Sequence, residues 1–333
     1  MSIFYYFPEV PGYRFVEKKI MCKKSSSSRV RKNFITISMV LMTTSIISFS
    51  QSAADTAKGL EELPGYTQHI YYSKGHEQRA RAVAEIMDEA AIFFKQVINF
   101  KPDISLYILS ENNWKEIAAP PLKDVYGFPH NLDSHRLAIA ATDNDFWKSF
   151  TPDISSLSPS MKEKLQKAYG TADNRYSMMP FFDLLAIHES GHSYTSQAGL
   201  KMQRHWMGEL FVNIMLHTFI AEKRPDLLPA LETFPEIVIS RGSSEFRFTS
   251  LQDFEKLYPT LGMGPKNYGW YQCRLHAAAG SIYNTGGKTV LVKLWNALSR
   301  YQNDMTDEDF VTMLKNEVHP SVADVYLKWD SEE

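Results

Sequence analysis

The sequence predicts an α+β protein. A small N-terminal sheet carries a helix packed on it. A mostly helical half follows, and it carries the helix that holds the chemistry. Three observations point there: β-rich runs are confined to the first half, helical periodicity dominates after residue 180, and no internal repeat or low-complexity linker divides the two. The 333 residues are 44% hydrophobic and 22% charged, enough to bury a sizeable core and too balanced for a disordered or fibrous chain. The two cysteines, Cys22 and Cys273, cannot build a disulfide framework or a Cys-based zinc ribbon.

The chain opens on an address. Residues 23–32 (KKSSSSRVRK) are basic without an acid, 34–49 (FITISMVLMTTSIISF) are uncharged and apolar, and SQSAAD follows. That is the order of a secretory signal, with Ser50 and Ser52 small enough to precede a cut before Ala53. Met21 sits just ahead of the basic run and is an alternative start, so residues 1–52 read as leader and signal peptide. The alternative is an uncleaved membrane anchor, for which the Thr and Ser content is poor. An exported, periplasmic or secreted protein is therefore expected, with no stable membrane insertion after cleavage. Residues 1–52 hold eight of the 36 Lys/Arg and two of the 38 Asp/Glu, so the remainder carries a net charge of about −8. An acidic exported part argues against nucleic acid as a partner.

Residues 53–175 form the expected α/β part. Helical spacing of Val83, Ile86, Met87, Ala90, Phe93, Phe94 and Val97 predicts a helix over 76–98. ISLYIL at 104–109 predicts a strand between Pro102 and a polar turn. LAIAA at 137–141 predicts a second, after the turn-rich stretch holding Gly127, Pro129, Asn131 and Asp133. Residues 176–333 form the expected helical part. Pro180 suits a first helical position and Gly199 a helix end, giving a helix over 180–198. A second runs from about 206 to 223, stopped by Pro225. Further helices are expected near 268–284, 288–301, 307–316 and 321–329.

Within the 180–198 helix stands His188-Glu189-Ser190-Gly191-His192, an H-E-x-x-H pattern. Residues i and i+4 share a helix face, so two imidazoles can converge on one zinc ion. Glu189 projects about 100° around the helix, where it can take the proton of a zinc-activated water without binding the metal. A catalytic zinc needs a third protein ligand and an open position. Glu209, at the start of the next helix, can face the first across an antiparallel contact; His205 and His217 are rivals. The longer metzincin pattern is absent, because Thr195 and Ala198 stand where Gly and His would be needed.

H-E-x-x-H on one helix followed by a Glu near the start of the next resembles the gluzincin zinc metallopeptidases, including M1-like and "peptidase MA-like" catalytic domains. The resemblance covers roughly residues 65–330, with H-E-x-x-H its sharp element. It implies a zinc cofactor, a peptide or protein substrate, and Asn213 as a hydrogen-bond partner of a zinc-bound His. It also implies a tyrosine that stabilises the oxyanion, placed at Tyr271 in Asn267-Tyr268-Gly269-Trp270-Tyr271-Gln272, with Tyr268 and His276 as alternatives. Cys273-Arg274 replaces the family's Lys-Gly after that tyrosine, and no G-A-M-E-N-type stretch for a free substrate amine is present. The resemblance further implies a sheet edge strand that binds substrate, expected at 137–141. The reading is a zinc metallopeptidase with Glu189 as general base; a zinc hydrolase of a non-peptide amide and an inactive zinc-stabilised binding protein are the alternatives. Oligomeric state is not encoded legibly.

Overall fold

In the computed structural model, residues 59–260 and 262–331 are described, and those from Leu60 onward belong to one unit. The expected leader, signal and Met21 start lie outside the described residues.

The front of the chain is a five-stranded mixed sheet. Its strands are β1 (Glu61–Leu63), β2 (His69–Tyr72), β3 (Ser105–Leu109), β4 (His130–Asp133) and β5 (Arg136–Ala140), in the order β1-β2-β3-β5-β4. β2, β3 and β5 run parallel, and β1 and β4 flank them antiparallel. A parallel pair needs a long crossover. α1 (Glu77–Ile98) supplies it between β2 and β3, with Ala80, Val83, Ala84, Met87, Ala90 and Phe94 buried at helical spacing. Asn99, at φ 51°, ends it in the left-handed region that Asn tolerates.

β5 is where the sequence predicted a strand, but it is not an edge. It pairs with β3 on one side and β4 on the other, so the edge next to the helical half is β4. β4 was hidden in the turn-rich stretch: HNLD is short and polar, with no alternating apolar pattern.

Short helix α2 (Glu111–Ile117) packs on β3, α3 (Asp145–Lys148) comes after β5, and α4 (Pro159–Tyr169) follows. The central pair is α5 (Met179–Gln197) and α6 (His205–Lys223). Both bury residues on every face, including polar His188, Glu189, Glu209 and Asn213. A helix buried all round belongs in the interior of a layered core. α7 (Leu228–Ser240), α8 (Leu251–Leu257), α9 (Pro265–Gly286), α10 (Lys288–Arg300), α11 (Asp307–Met313) and α12 (Pro320–Lys328) complete the helical half. α9 packs along α6 and α7, and α4 packs on α7.

Two of the helices absent from the sequence reading carry local start signals, and a third carries a contrary one. Ser158 caps α4 by accepting from Met161 N, with Pro159 at the first helical position. Ser250 caps α8 by accepting from Asp253 N, and its own hydroxyl donates to Asp253 Oδ2. α7 contains Pro235, which argues against a helix on sequence alone.

The α5–α6 contact positions everything that follows. A Cβ on Gly191 would lie 2.9 Å from both Cβ and Cγ1 of Val212. Only a hydrogen at position 191 lets the helices approach this closely. The approach brings Glu209 and Asn213, one turn apart on α6, against the histidine face of α5. At the N-terminal end of α5, Arg79 of α1 pairs with Asp183, donating from Nη1 to Oδ2 at 2.7 Å and also from Nη2 to Oδ1. That pair, 14% and 24% exposed, ties the sheet-side helix to the central one.

Candidate metal centre

His188, His192 and Glu209 meet at the α5–α6 contact. His188 Nε2 lies 3.4 Å and His192 Nε2 3.7 Å from Glu209 Oε2, and the two imidazole centroids are 5.1 Å apart. One ligand atom from each lies within 4.8 Å of the others, so the group can hold a metal ion. Its fit to a cation also rests on an orphaned atom: His192 Nε2 is buried with no hydrogen-bond partner. Among the described residues this is the one such group of three or more His, Cys, Asp or Glu.

Each donor is held from behind. Asn213 Oδ1 is 2.8 Å from His188 Nδ1, which fixes the ring so that Nε2 faces Glu209. Tyr258 donates its hydroxyl to Glu209 Oε1 at 2.5 Å. Gln272 Nε2 donates to Glu209 Oε2 at 3.0 Å and to the Tyr268 hydroxyl at 2.7 Å, while its Oε1 is 3.5 Å from Asn213 Nδ2. Glu209 thus has Oε1 engaged by a phenol and Oε2 turned to both imidazoles. Burial pushes its carboxyl up, but the imidazoles of His192 and His188 outweigh that and hold it well below the usual range. Glu209 is therefore an anion, the form a cation needs.

Glu189 sits beside this group and is 1% exposed. Asn131, on edge strand β4, donates one amide nitrogen to both Glu189 O (2.8 Å) and Glu189 Oε2 (3.0 Å). Ser193, one turn along α5, donates to Asn131 Oδ1 at 3.3 Å. Burial, reinforced by the Glu209 charge, pushes the Glu189 carboxyl well above the usual carboxylate range; the Asn131 bonds oppose this. Two neighbouring carboxylates thus have protonation equilibria driven in opposite directions by their surroundings.

Other expected residues fall elsewhere. Tyr271 is not brought to the group: its hydroxyl donates to Ser250 O at 2.7 Å, and its ring packs against Trp270 and Trp329. On α9 the face turned to the site carries Tyr268 and Gln272, four residues apart. Tyr271 points about 100° round the helix from Gln272. Tyr268, 1% exposed, feels both Glu209 and Glu189; burial first, then these charges, raise its pKa well above the ordinary phenol value, so it is a neutral donor. His276 continues the same face and stacks on His188, with centroids 5.9 Å apart. His205 stacks on Tyr258 instead, and His217 lies two turns past Glu209 against Gly280 and Tyr283.

The sequence reading missed Asn131, Tyr258 and Gln272. Asn131 stood in a stretch read as turns, and Tyr258 lies just past α8. Neither carries a spacing that relates it to H-E-x-x-H, because both reach the site through tertiary packing. Gln272 was legible in hindsight as the residue one turn after Tyr268.

No family model, curated protein or solved structure matches this chain.

Proposed function

We propose that this chain is a zinc-dependent metallopeptidase of gluzincin type, exported by the signal read in residues 1–52. The observation that carries the reading is the convergence of His188, His192 and Glu209 beside a buried Glu189 that Asn131 holds by its Oε2. Two imidazoles and one carboxylate form a donor set suited to a borderline-soft ion that keeps an open fourth position. When bound, zinc supplies a Lewis acid that acidifies water and polarises a carbonyl.

The chain's own residues supply the rest. Glu189 accepts a proton from water as it attacks the carbonyl and passes that proton to the departing amine. Asn131 keeps the Glu189 carboxylate on the side of the helix that faces β4, the edge available to an extended substrate. Asn213, Tyr258 and Gln272 orient His188 and Glu209, and Gln272 also holds the Tyr268 hydroxyl near the reacting centre as a donor for developing negative charge.

The test joins metal content with turnover. Protein loaded with zinc and dialysed should retain one zinc per chain by mass spectrometry. It should cleave members of a peptide library in a chelator-sensitive way. A protein that binds no metal, or one that binds zinc and cleaves no peptide, would sink the reading.

A further inference from the structure

Asn131 of β4 and Ser193 of α5 close a ring of hydrogen bonds over one turn of the helix that carries Glu189. Ser193 lies four residues after Glu189, on the same helix face. The Asn131 amide bridges the two positions. Its Nδ2 donates to Glu189 O at 2.8 Å and to Glu189 Oε2 at 3.0 Å, and its Oδ1 accepts from Ser193 Oγ at 3.3 Å. Glu189 and Ser193 are both buried, so bulk water does not compete for these bonds.

The ring has one workable polarity. A backbone carbonyl only accepts, so the amide must turn Nδ2 toward Glu189 O. The Ser193 hydroxyl then meets Oδ1 and must donate. Turned over, the amide would set its oxygen against both Glu189 acceptors. Two neighbouring hydroxyls of α5 are used differently. Ser190 donates to Ile187 O at 2.7 Å and Thr195 to His192 O at 3.0 Å, each bonding back to its own helix. Ser193 instead donates across to the sheet.

The strand aims the amide. β4 pairs with β5 through Asn131 opposite Leu137 and Asp133 opposite Arg136, so Leu132 is an extra residue and the ladder bulges there. A bulge redirects the side chains beside it. Asp133 fastens this one, accepting from Arg136 Nε and from His135 N, each at 2.8 Å.

We propose that Ser193 is a positioning residue for the general base. Its hydroxyl locks the Asn131 amide so that Nδ2 holds Glu189 Oε2 and Oε1 is left to receive the proton of water. The consequence for turnover rests on the peptidase reading above. The lock itself does not.

The test has two arms on the full-chain, zinc-loaded protein. In the first, nuclear magnetic resonance follows the side-chain amide hydrogens of Asn131, identified by their loss in Asn131→Ala. Ser193→Ala should speed their exchange with solvent about tenfold, because the amide is then free to turn away from Glu189. Alanine suits a helix interior, so the fold should persist by circular dichroism. Exchange unchanged in Ser193→Ala overturns the lock.

In the second arm, Ser193→Ala should lower kcat for peptide cleavage about tenfold and Asn131→Ala about 10- to 100-fold, with KM and zinc affinity within about twofold of the parent. The double variant should match Asn131→Ala alone, because Ser193 acts through Asn131. Asn131→Asp keeps the acceptor for Ser193 and removes the donor to Glu189, so it should lose at least as much as Asn131→Ala. Losses that add in the double variant, zinc lost along with kcat, or a parental kcat in Asn131→Asp overturns the positioning role. Amide exchange that behaves as expected in a protein that cuts no peptide keeps the lock and defeats the peptidase reading instead.

Discussion

Tyr258 donates its hydroxyl to Glu209 Oε1 at 2.5 Å, leaving Oε2 to face His188 and His192. This contact fixes which carboxylate oxygen is offered to a cation. Tyr258→Phe keeps the ring that stacks on His205 and packs on Phe254, and removes only the donor. Zinc affinity, measured against a competing chelator, should fall about 10- to 100-fold with the fold intact by circular dichroism. Unchanged affinity would mean that the hydroxyl merely caps a buried acid.

The third ligand is separable from its rivals. Glu209→Ala should lose zinc in the same titration, since two imidazoles alone give a weak, open site. His205→Ala and His217→Ala should retain it, because neither ring belongs to the group. Loss of metal in either histidine variant, with Glu209→Ala still loaded, would remove the basis for the gluzincin reading.

Glu189→Gln should keep zinc and lose peptide cleavage. The amide preserves a hydrogen-bonding partner for Asn131 Nδ2 but cannot take a proton. Stoichiometric loss of zinc in this variant would instead make Glu189 a ligand.

Gly191 tests how the helices are brought together. Gly191→Ala drives a methyl into Val212, at 2.9 Å, and should cost about 1–3 kcal/mol of stability in denaturant unfolding. It should also weaken zinc binding by pushing Glu209 away from the histidines. Adding Val212→Ala should restore metal affinity more than stability, because it relieves the clash but removes core contacts. Were the double variant no better at binding zinc than the single one, helix approach would not be what sets the site.

Acid stability should report His130. Burial lowers its pKa to about 4 from an ordinary 6.5, opposed by its bond to the Phe128 carbonyl. The unfolded chain therefore binds more protons than the folded one between about pH 4 and 6.5, so stability is full above that window and falls as pH drops through it. The loss from this residue amounts to about 3 kcal/mol at most. His130→Gln should flatten that part of the stability–pH curve; an unaltered slope would show that folding does not shift the protonation of His130.

Much of the architecture was readable because it is local. The helix at Glu77–Ile98, the strand at Ser105–Leu109 and the central helices at Met179–Gln197 and His205–Lys223 follow from apolar spacing and from Pro180, Gly199 and Pro225. Strands β1, β2 and β4 were not readable. They are three or four residues long, and their pairing partners, not their composition, make them strands.

The site divides along the same line. His188, Glu189 and His192 lie within five consecutive residues, and helix geometry alone sets their relation, so the sequence determined it. Glu209 could be named beside two rival histidines, but the choice among the three belongs to packing. Gly191 admits Val212, and that close approach places Glu209, not His205 or His217, against the imidazoles. The sequence pointed to Tyr271, with Tyr268 as an alternative; a rotation of about 60° around one helix separates a tyrosine bonded to Ser250 from one held by Gln272 beside Glu209. Asn131, Tyr258 and Gln272 come from a sheet edge, a short segment after a helix and a distant helix. Only the tertiary structure brings them together, because hydrogen bonds between segments far apart in the chain have no local pattern to announce them.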